Sequence, residues 1–313
     1  MLFHEVHGVP PASEVPQVLA IGKFDGVHIG HQAILDAARR EARLGERLAV
    51  LSFEPHPTYA LTGNPEYLRT LTPRAEKVRL LAELGVGAYY AAQFNREFQS
   101  LTPDAFVETY LPSLAVRHVV VGDDFRFGRG GSGTIEVLRE LAQRLGIGVT
   151  VVPPVEEGAH KVGSSQIRAH LAAGRVEAAE ALLGRPYALT GTVVHGDKRG
   201  RLIGFPTANL GGIDQYVMPA SGVYAVAVAL LDETSSESHW FGVLNAGFRP
   251  TVEGTTFRVE VHLLGFSGDL YGRECRVSFL RRIRDERKFA GLDELKAQIE
   301  RDCDVARELL GLS

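Results

Sequence analysis

Cysteine, methionine and tryptophan are scarce in this 313-residue chain, which holds two, two and one of them. Cys275 and Cys303 form no CxxC or Cys/His ligand pattern, which argues against a disulfide framework and a zinc site and fits a reducing compartment. No apolar run approaches the ~20 residues needed to span a bilayer. Residues 1–16 show no basic leader ahead of an apolar core, so the pattern of a secretory signal is missing and a cytoplasmic, membrane-free protein is expected. The formal charge is only −4 with no long basic block, so the electrostatic footprint of a nucleic-acid binder is absent. Any preference for anions must be local.

What is present is a globular composition, 45% hydrophobic and 23% charged, at a length that implies two domains. Short apolar runs at 18–21, 48–53, 88–94, 118–121 and 149–155 alternate with helical patterns such as 31–44, 73–84 and 134–145. That order predicts an α/β domain, a parallel sheet covered by helices on both faces. Two shorter helices follow, SSQIRAHLAAG with Ser164 and Ser165 as caps, and RVEAAEALLG, both closed by glycine. After Gly184-Arg185-Pro186 the rhythm changes to LTGTVVHG, GVYAVAVALL, WFGVLNAG, FRVEVHLLGF and RECRVSFLRRI. This predicts an antiparallel sheet or small β-barrel with a final amphipathic helix over 292–310. The boundary falls at 185/186, giving domains 1–185 and 186–313. The polar stretch 232–238 reads as a hairpin loop.

The strand QVLAIG runs into GKFDGVHIGH and then directly into a helix. Gly22, Gly26 and Gly30 let the backbone approach a ligand closely, and free N–H groups at the helix start attract anions. His28 and His31, three apart, can meet one polyphosphate from the first helical turn. The competing reading, a tight βα turn with surface histidines, loses ground because ligands gather at the carboxyl ends of parallel strands.

With FEPHP at 53–57, LTPRAEK at 71–77, VVGDDFRFG at 120–128 and SSQIR at 164–168, this half resembles the HxGH nucleotidyltransferases, specifically the FMN adenylyltransferase half of bacterial FAD synthetases. The resemblance implies a Rossmann-like fold in which His28 and His31 bind the ATP phosphates and stabilise adenylyl transfer, within a loop that includes Gly22, Phe24, Gly26 and Gly30. It assigns Asp124 and Phe125 to the flavin pocket, and Ser164 and Arg168 to the triphosphate. A helix-surface salt bridge for Arg168 and a loop cap for Asp124 are the alternatives. The family usually has threonine at Gln166 and aspartate at Gly87. The resemblance implies that no protein nucleophile is required: the FMN phosphate would attack the α-phosphorus of ATP and pyrophosphate would leave, so the site must align and neutralise, with magnesium expected on the phosphate oxygens.

In the second half, GTVVHGDKRGRLIGFPTANL lacks the Walker A pattern. Gly196, Gly200 and Gly204 can still shape a phosphate loop, with Lys198, Arg199 or Arg201 offsetting charge. Thr207 and Asn209 offer hard oxygens suited to Mg2+, or cap a turn beside Pro206. GFPTAN, MPASGVYAV, NAGFRPT, VEVHLLGFSGDLYG and the terminal RDERKFAGLDELKAQIERD resemble the riboflavin kinases, with Ala246 and Phe248 as departures. The resemblance places ATP at Gly196, Lys198, Gly200, Gly204 and Pro206, and metal at Thr207 and Asn209. A primary ribityl hydroxyl needs a base or acceptor. In VEVHLL, alternation puts Val259, Val261 and Leu263 on one face and Glu260, His262 and Leu264 on the other. Glu260 is therefore the candidate base and matches the family's catalytic glutamate, while His262 reads as structural. The GFSGDLYG loop would border the flavin by resemblance, and the basic run 281–288 reads as a flap.

Together these resemblances imply an enzyme that makes FMN from riboflavin and then FAD, using ATP and Mg2+ and releasing ADP and pyrophosphate. Two other readings are a riboflavin kinase whose first half is a nucleotide-binding regulatory module, with Gln166 in support, and a flavin sensor without catalysis. Loss of Glu260 or Asn209 would have marked the sensor, and neither is missing. Oligomeric state leaves no mark in the sequence.

Overall fold

The computed structural model describes residues 1–158, 160–196, 200, 204–231, 238–251 and 254–312. The chain divides into two compact units, Met1–Ser164 and Ser165–Ser313.

In the first unit the strands are β1 (Leu2–Val6), β2 (Gln17–Ile21), β3 (Arg47–Glu54), β4 (Ala88–Gln93), β5 (Val116–Gly122) and β6 (Gly148–Val152). They form one sheet in the order β1-β4-β3-β2-β5-β6, with every neighbouring pair parallel. The helices between them are α1 (Ile29–Glu41), α2 (Pro57–Thr62), α3 (Arg74–Glu83), α4 (Arg96–Ser100), α5 (Pro103–Ser113) and α6 (Ile135–Arg144). Alternation along β2 decides which layer each residue joins. Leu19 and Ile21 meet Phe106 and Leu111 of α5 and Leu138 of α6, whereas Val18 and Ala20 meet Leu35 of α1 and Leu80 and Leu81 of α3. Both faces of the sheet are thus covered, which is why β2 is buried throughout. Thr102 and Thr134 start α5 and α6 by accepting from Ala105 N and Val137 N.

The strand order reverses between β2 and β5, where the chain steps to opposite sides of β2. Crevices at such reversals hold ligands in open α/β sheets. β1, not anticipated from the sequence, joins at the edge beside β4, where one face meets solvent and a long apolar run is not needed. A short hairpin, β7 (Glu156–Glu157) and β8 (His160–Lys161), follows the sheet.

Helices α7 (Ser164–Ala172) and α8 (Val176–Leu183) lead into the second unit. Gly174 and Gly184 close them with positive φ, +70° and +72°. Ser164 is the first residue of α7, inside the helix and not the cap before it, and its hydroxyl donates to the Asp25 carbonyl at 2.8 Å. α8 packs on strands of the second unit, so the compact division falls just after the first residue of α7 while the sequence boundary follows both helices.

Strands β9 (Tyr187–Val194), β10 (Ala208–Gly211), β11 (Gly222–Leu230), β12 (Ser238–Thr251), β13 (Gly254–Leu263) and β14 (Glu274–Arg284) close an antiparallel barrel in the order β10-β13-β12-β11-β14-β9. Val193, Leu210, Val228, Val261, Leu263 and Val277 point inside. The terminal helix α9 (Leu292–Leu310) packs Cys303 and Ala306 on the outward residues Val223, Ala225 and Val243. The basic run 281–288 is not one flap. Arg281–Arg284 complete β14, and Arg284 is tied to the buried Asp302 of α9 at 2.7 Å. Of the expected hairpin loop, 232–237 lie outside the described residues.

Candidate active sites

In the first unit, β2 ends at Ile21 in the middle of the sheet and the chain must turn sharply into α1. Gly26 takes φ +90°, and Phe24 (+49°) and Val27 (+44°) also adopt left-handed backbone although neither is glycine. Such conformations persist only where the surroundings over-determine them. Here they do. Phe24 and Val27 are fully buried, the Asp25 carboxylate accepts from Leu71 N at 2.8 Å and Thr72 N at 3.4 Å, and Gly26 N donates to Thr72 Oγ1 at 2.9 Å. The Lys23 carbonyl accepts from Ser52 Oγ at 2.9 Å and from Lys77 Nζ at 3.3 Å, and Gln32 Nε2 holds the Val27 carbonyl at 3.0 Å.

The loop delivers His28 as the N-cap of α1, its Nδ1 accepting from His31 N at 3.4 Å. With Nδ1 accepting, the neutral ring carries its proton on Nε2 and is a donor there. The His28 and His31 rings stack with centroids 3.7 Å apart, and Phe24 lies 4.9 Å from His31 on centroids. A Cβ on Gly30 would come 3.1 Å from the His28 ring, so glycine there lets that ring lie close. His28 is only 6% exposed, which removes the reading of a surface histidine. The Phe24 side chain supports His31 from the core, so only its backbone could meet a ligand. Among the described residues this assembles donors at the amino end of a 13-residue helix, beside the strand reversal, suited to a polyphosphate.

Asp124 and Phe125 follow β5, on the other side of that reversal. Phe125 stacks on Phe127 at 5.6 Å. Asp124 is exposed and pairs with Lys161 of β8 at 3.0 Å, as Asp123 does at 2.7 Å. Burial opposes the Lys161 charge, but its bonds to Asp123 and Asp124 outweigh that and raise its pKa. Arg168 lies one turn into α7 and is partly buried. Sequence reasoning missed Asp25, Ser52, Thr72 and Lys77 as loop supports. LTPRAEK was visible, but nothing local says that it closes on residues some 50 positions earlier.

In the barrel, cross-strand register does the positioning. Asn209 of β10 lies opposite Glu260 of β13, and Glu260 opposite Asn245 of β12. Opposed residues share a face, and the alternation that buries Val259, Val261 and Leu263 turns Glu260 to the outward side. Thr207 precedes Asn209 by two residues, on the approach to β10. A Cβ on Gly196 would meet Asn209 Nδ2 at 2.2 Å, so this glycine makes the space in which the Asn209 amide lies. Phe205 N donates to the Gly200 carbonyl at 2.9 Å, and Gly204 turns the chain with φ +86°. His262 bonds from Nδ1 to the Pro206 carbonyl at 2.9 Å, the structural part expected of it. Lys198, Arg199 and Arg201 lie outside the described residues. Past β14, the Glu286 carboxylate accepts from Asn245 Nδ2 at 3.4 Å and lies over Gly247, beside the Glu260 row.

Magnesium bound together with a nucleotide keeps several waters and draws few of its oxygen ligands from the protein. The Thr207 hydroxyl and Asn209 carbonyl oxygen are neutral, hard oxygen donors of the kind such an ion accepts, and the space at Gly196 admits the Asn209 side chain. Among the described residues no group of three His, Cys, Asp or Glu side chains could hold a metal.

Residues 11–166 match the family model described as FAD synthetase, and residues 183–310 the one described as riboflavin kinase. The chain is 43% identical to the bifunctional riboflavin kinase/FMN adenylyltransferase of Escherichia coli K12, covering 98% of each, and 40% identical to that of Bacillus subtilis 168, covering 96% of this chain and 94% of the relative. A crystal structure described as a macrolide-efflux protein from Streptococcus pneumoniae superimposes with a TM-score of 0.89 at 34% identity, covering 98% of this chain and 99% of that one. Among the described residues no helix is long and apolar enough to cross a membrane.

Proposed function

The chain belongs to the family of bifunctional riboflavin kinases/FMN adenylyltransferases, making FMN from riboflavin and ATP and then FAD and pyrophosphate from FMN and ATP, and we propose that residues 186–313 perform the first reaction and 1–185 the second. The two family matches, 11–166 and 183–310, support that division. The kinase-only reading rests on Gln166 alone, while the relatives cover both halves.

For phosphorylation, Glu260 accepts the proton of the primary ribityl hydroxyl as its oxygen attacks the γ-phosphorus and ADP leaves. The row Asn209–Glu260–Asn245 is the observation that carries this assignment. Thr207 and Asn209 would hold Mg2+ with the ATP phosphates, and that ion would supply charge neutralisation. The loop through Gly196, Gly200, Gly204 and Pro206, with Lys198, would wrap the phosphates.

For adenylyl transfer, the FMN phosphate attacks the α-phosphorus and pyrophosphate departs. His28 and His31 donate to the charge that develops, and the α1 amino end with Gly22, Gly26 and Gly30 receives the phosphates. Ser164 and Arg168 are assigned to the triphosphate from SSQIR alone. Asp124 and Phe125 would border the flavin. We place the enzyme in the cytoplasm, consistent with its two free, buried cysteines.

Glu260→Gln tests the division. It should abolish FMN formation and leave FAD formation from supplied FMN intact; a folded variant lacking both activities would refute the two-site assignment.

A further inference from the structure

A second carboxylate, Glu286, stands beside the kinase row, and the reaction as assigned gives it no part. It lies two residues past the end of β14, between two arginines that are anchored on α9. Arg284 is tied to Asp302 at 2.7 Å, and Arg287 donates to Gln298 at 2.9 Å and pairs with Glu294 at 3.4 Å. Held on both sides, the Glu286 carboxylate is laid on β12. It accepts from Asn245 Nδ2 at 3.4 Å, and a Cβ on Gly247 would come within 2.6 Å of both its oxygens, so glycine at that position lets it lie there. Register then gives the base two different sides. Glu260 lies opposite Asn209 of β10 on one side and opposite Asn245 of β12 on the other. Thr207, Asn209 and the glycine loop assign the β10 side to the phosphoryl donor. The acceptor molecule is left the β12 side, where Glu286 stands. Gly247 is two residues from Asn245, about 7 Å along the strand, and a ribityl chain with its primary hydroxyl at Glu260 carries its three secondary hydroxyls over that span.

We propose that Glu286 is a specificity-determining residue of the kinase reaction, its carboxylate accepting a hydrogen bond from a secondary hydroxyl of the ribityl chain while Glu260 takes the primary one. A carboxylate accepts and does not donate, so it matches a hydroxyl of the substrate. The bond is charge-assisted and stronger than one between neutral groups, and an acceptor lacking that hydroxyl forgoes it. The preference for a polyhydroxyl chain should therefore reside in Glu286, and not only in the shape of the cleft. This inference rests on the assignment of FMN formation to the Glu260 row.

The test uses the full chain and two acceptors: riboflavin, and a flavin with a 5-hydroxypentyl chain, which keeps the primary hydroxyl and lacks the three secondary ones. kcat/KM for phosphorylation of each is measured in the unaltered protein and in Glu286→Ala, Gly247→Ala and Glu260→Gln, with FAD formation from supplied FMN as internal control. Glu286 is exposed, so its truncation leaves the core intact. In Glu286→Ala the value for riboflavin should fall about tenfold to a hundredfold, the loss of one hydrogen bond to a charged group, while the value for the hydroxypentyl flavin stays within about twofold. Gly247→Ala, whose backbone is not left-handed and whose new Cβ displaces the carboxylate, should narrow the preference for riboflavin in the same way. A purely structural role for Glu286 lowers both acceptors alike, and that result overturns the proposal. So does an unchanged preference in Glu286→Ala while Glu260→Gln makes no FMN. Full FMN formation in Glu260→Gln would instead overturn the underlying assignment and this inference with it.

Discussion

Gly196→Ala separates stability from catalysis in the kinase half. The added Cβ would lie 2.2 Å from Asn209 Nδ2 and 2.5 Å from its Cγ, so the amide must withdraw by more than 1 Å to reach ordinary contact. The Gly196 backbone has no left-handed φ, so alanine is not strained there, and the displaced atoms are the far end of one side chain. Folding should lose only about 0.5–1.5 kcal/mol, the cost of an off-rotamer side chain. Catalysis should lose far more, because a ~1 Å misplacement of a positioning group costs on the order of 10²-fold, or about 2.7 kcal/mol in the barrier. The assay is kcat for FMN formation at saturating riboflavin, ATP and Mg2+, with FAD formation from FMN alongside and thermal unfolding as a third reading. The expected pattern is a loss of about 10²-fold in the first, no change in the second and a small shift in the third. Unchanged FMN formation would show that Asn209 does no work where the structure puts it.

Three further outcomes follow from named contacts. His28→Asn keeps a side-chain cap on α1 but removes the imidazole, so FAD formation should drop by about 10²-fold or more while unfolding free energy changes by less than about 1 kcal/mol; a comparable fall in stability would make the ring chiefly a structural cap. Asp302→Ala strands Arg284 between β14 and α9 and should cost about 3 kcal/mol by denaturant unfolding, a figure that a loss under about 1 kcal/mol would contradict. Burial lowers the His118 pKa below 6.5 despite the opposing field of Glu41, with Arg117, Glu46 and Arg43 also acting on it. Below pH 6.5 the unfolded chain takes up a proton that the folded ring resists, so this contribution is complete above 6.5 and is lost as pH falls towards the lowered value. His118→Gln should flatten that part of the stability profile, and an unaltered slope would exclude His118 as its source.

The parts of the fold legible in the sequence were those whose burial is periodic. The terminal helix falls on 292–310 as its amphipathic pattern implied, and alternation alone turned Glu260 away from Val259, Val261 and Leu263. β1 escaped because LFHEV is a half-exposed edge strand, and β10 because ANLG is four residues long, ends in glycine and is held by its partners. In the first site the motif announced His28 and His31. It could not show that Phe24 and Val27 take left-handed backbone, or that Thr72 and Lys77 close the loop, since those contacts join residues 46 and 54 positions apart. Gly196 read as a phosphate-loop glycine; its fit against Asn209 needed the barrel to bring β9 and β10 together.

One chain carrying two working sites that act in sequence should release its products in a fixed order. A chromatographic time course of the purified protein with riboflavin, ATP and Mg2+ tests it directly. FMN is expected first and FAD after it, with FAD also forming when FMN is supplied alone with ATP. FMN accumulating without FAD would contradict it and leave residues 1–185 a nucleotide-binding module.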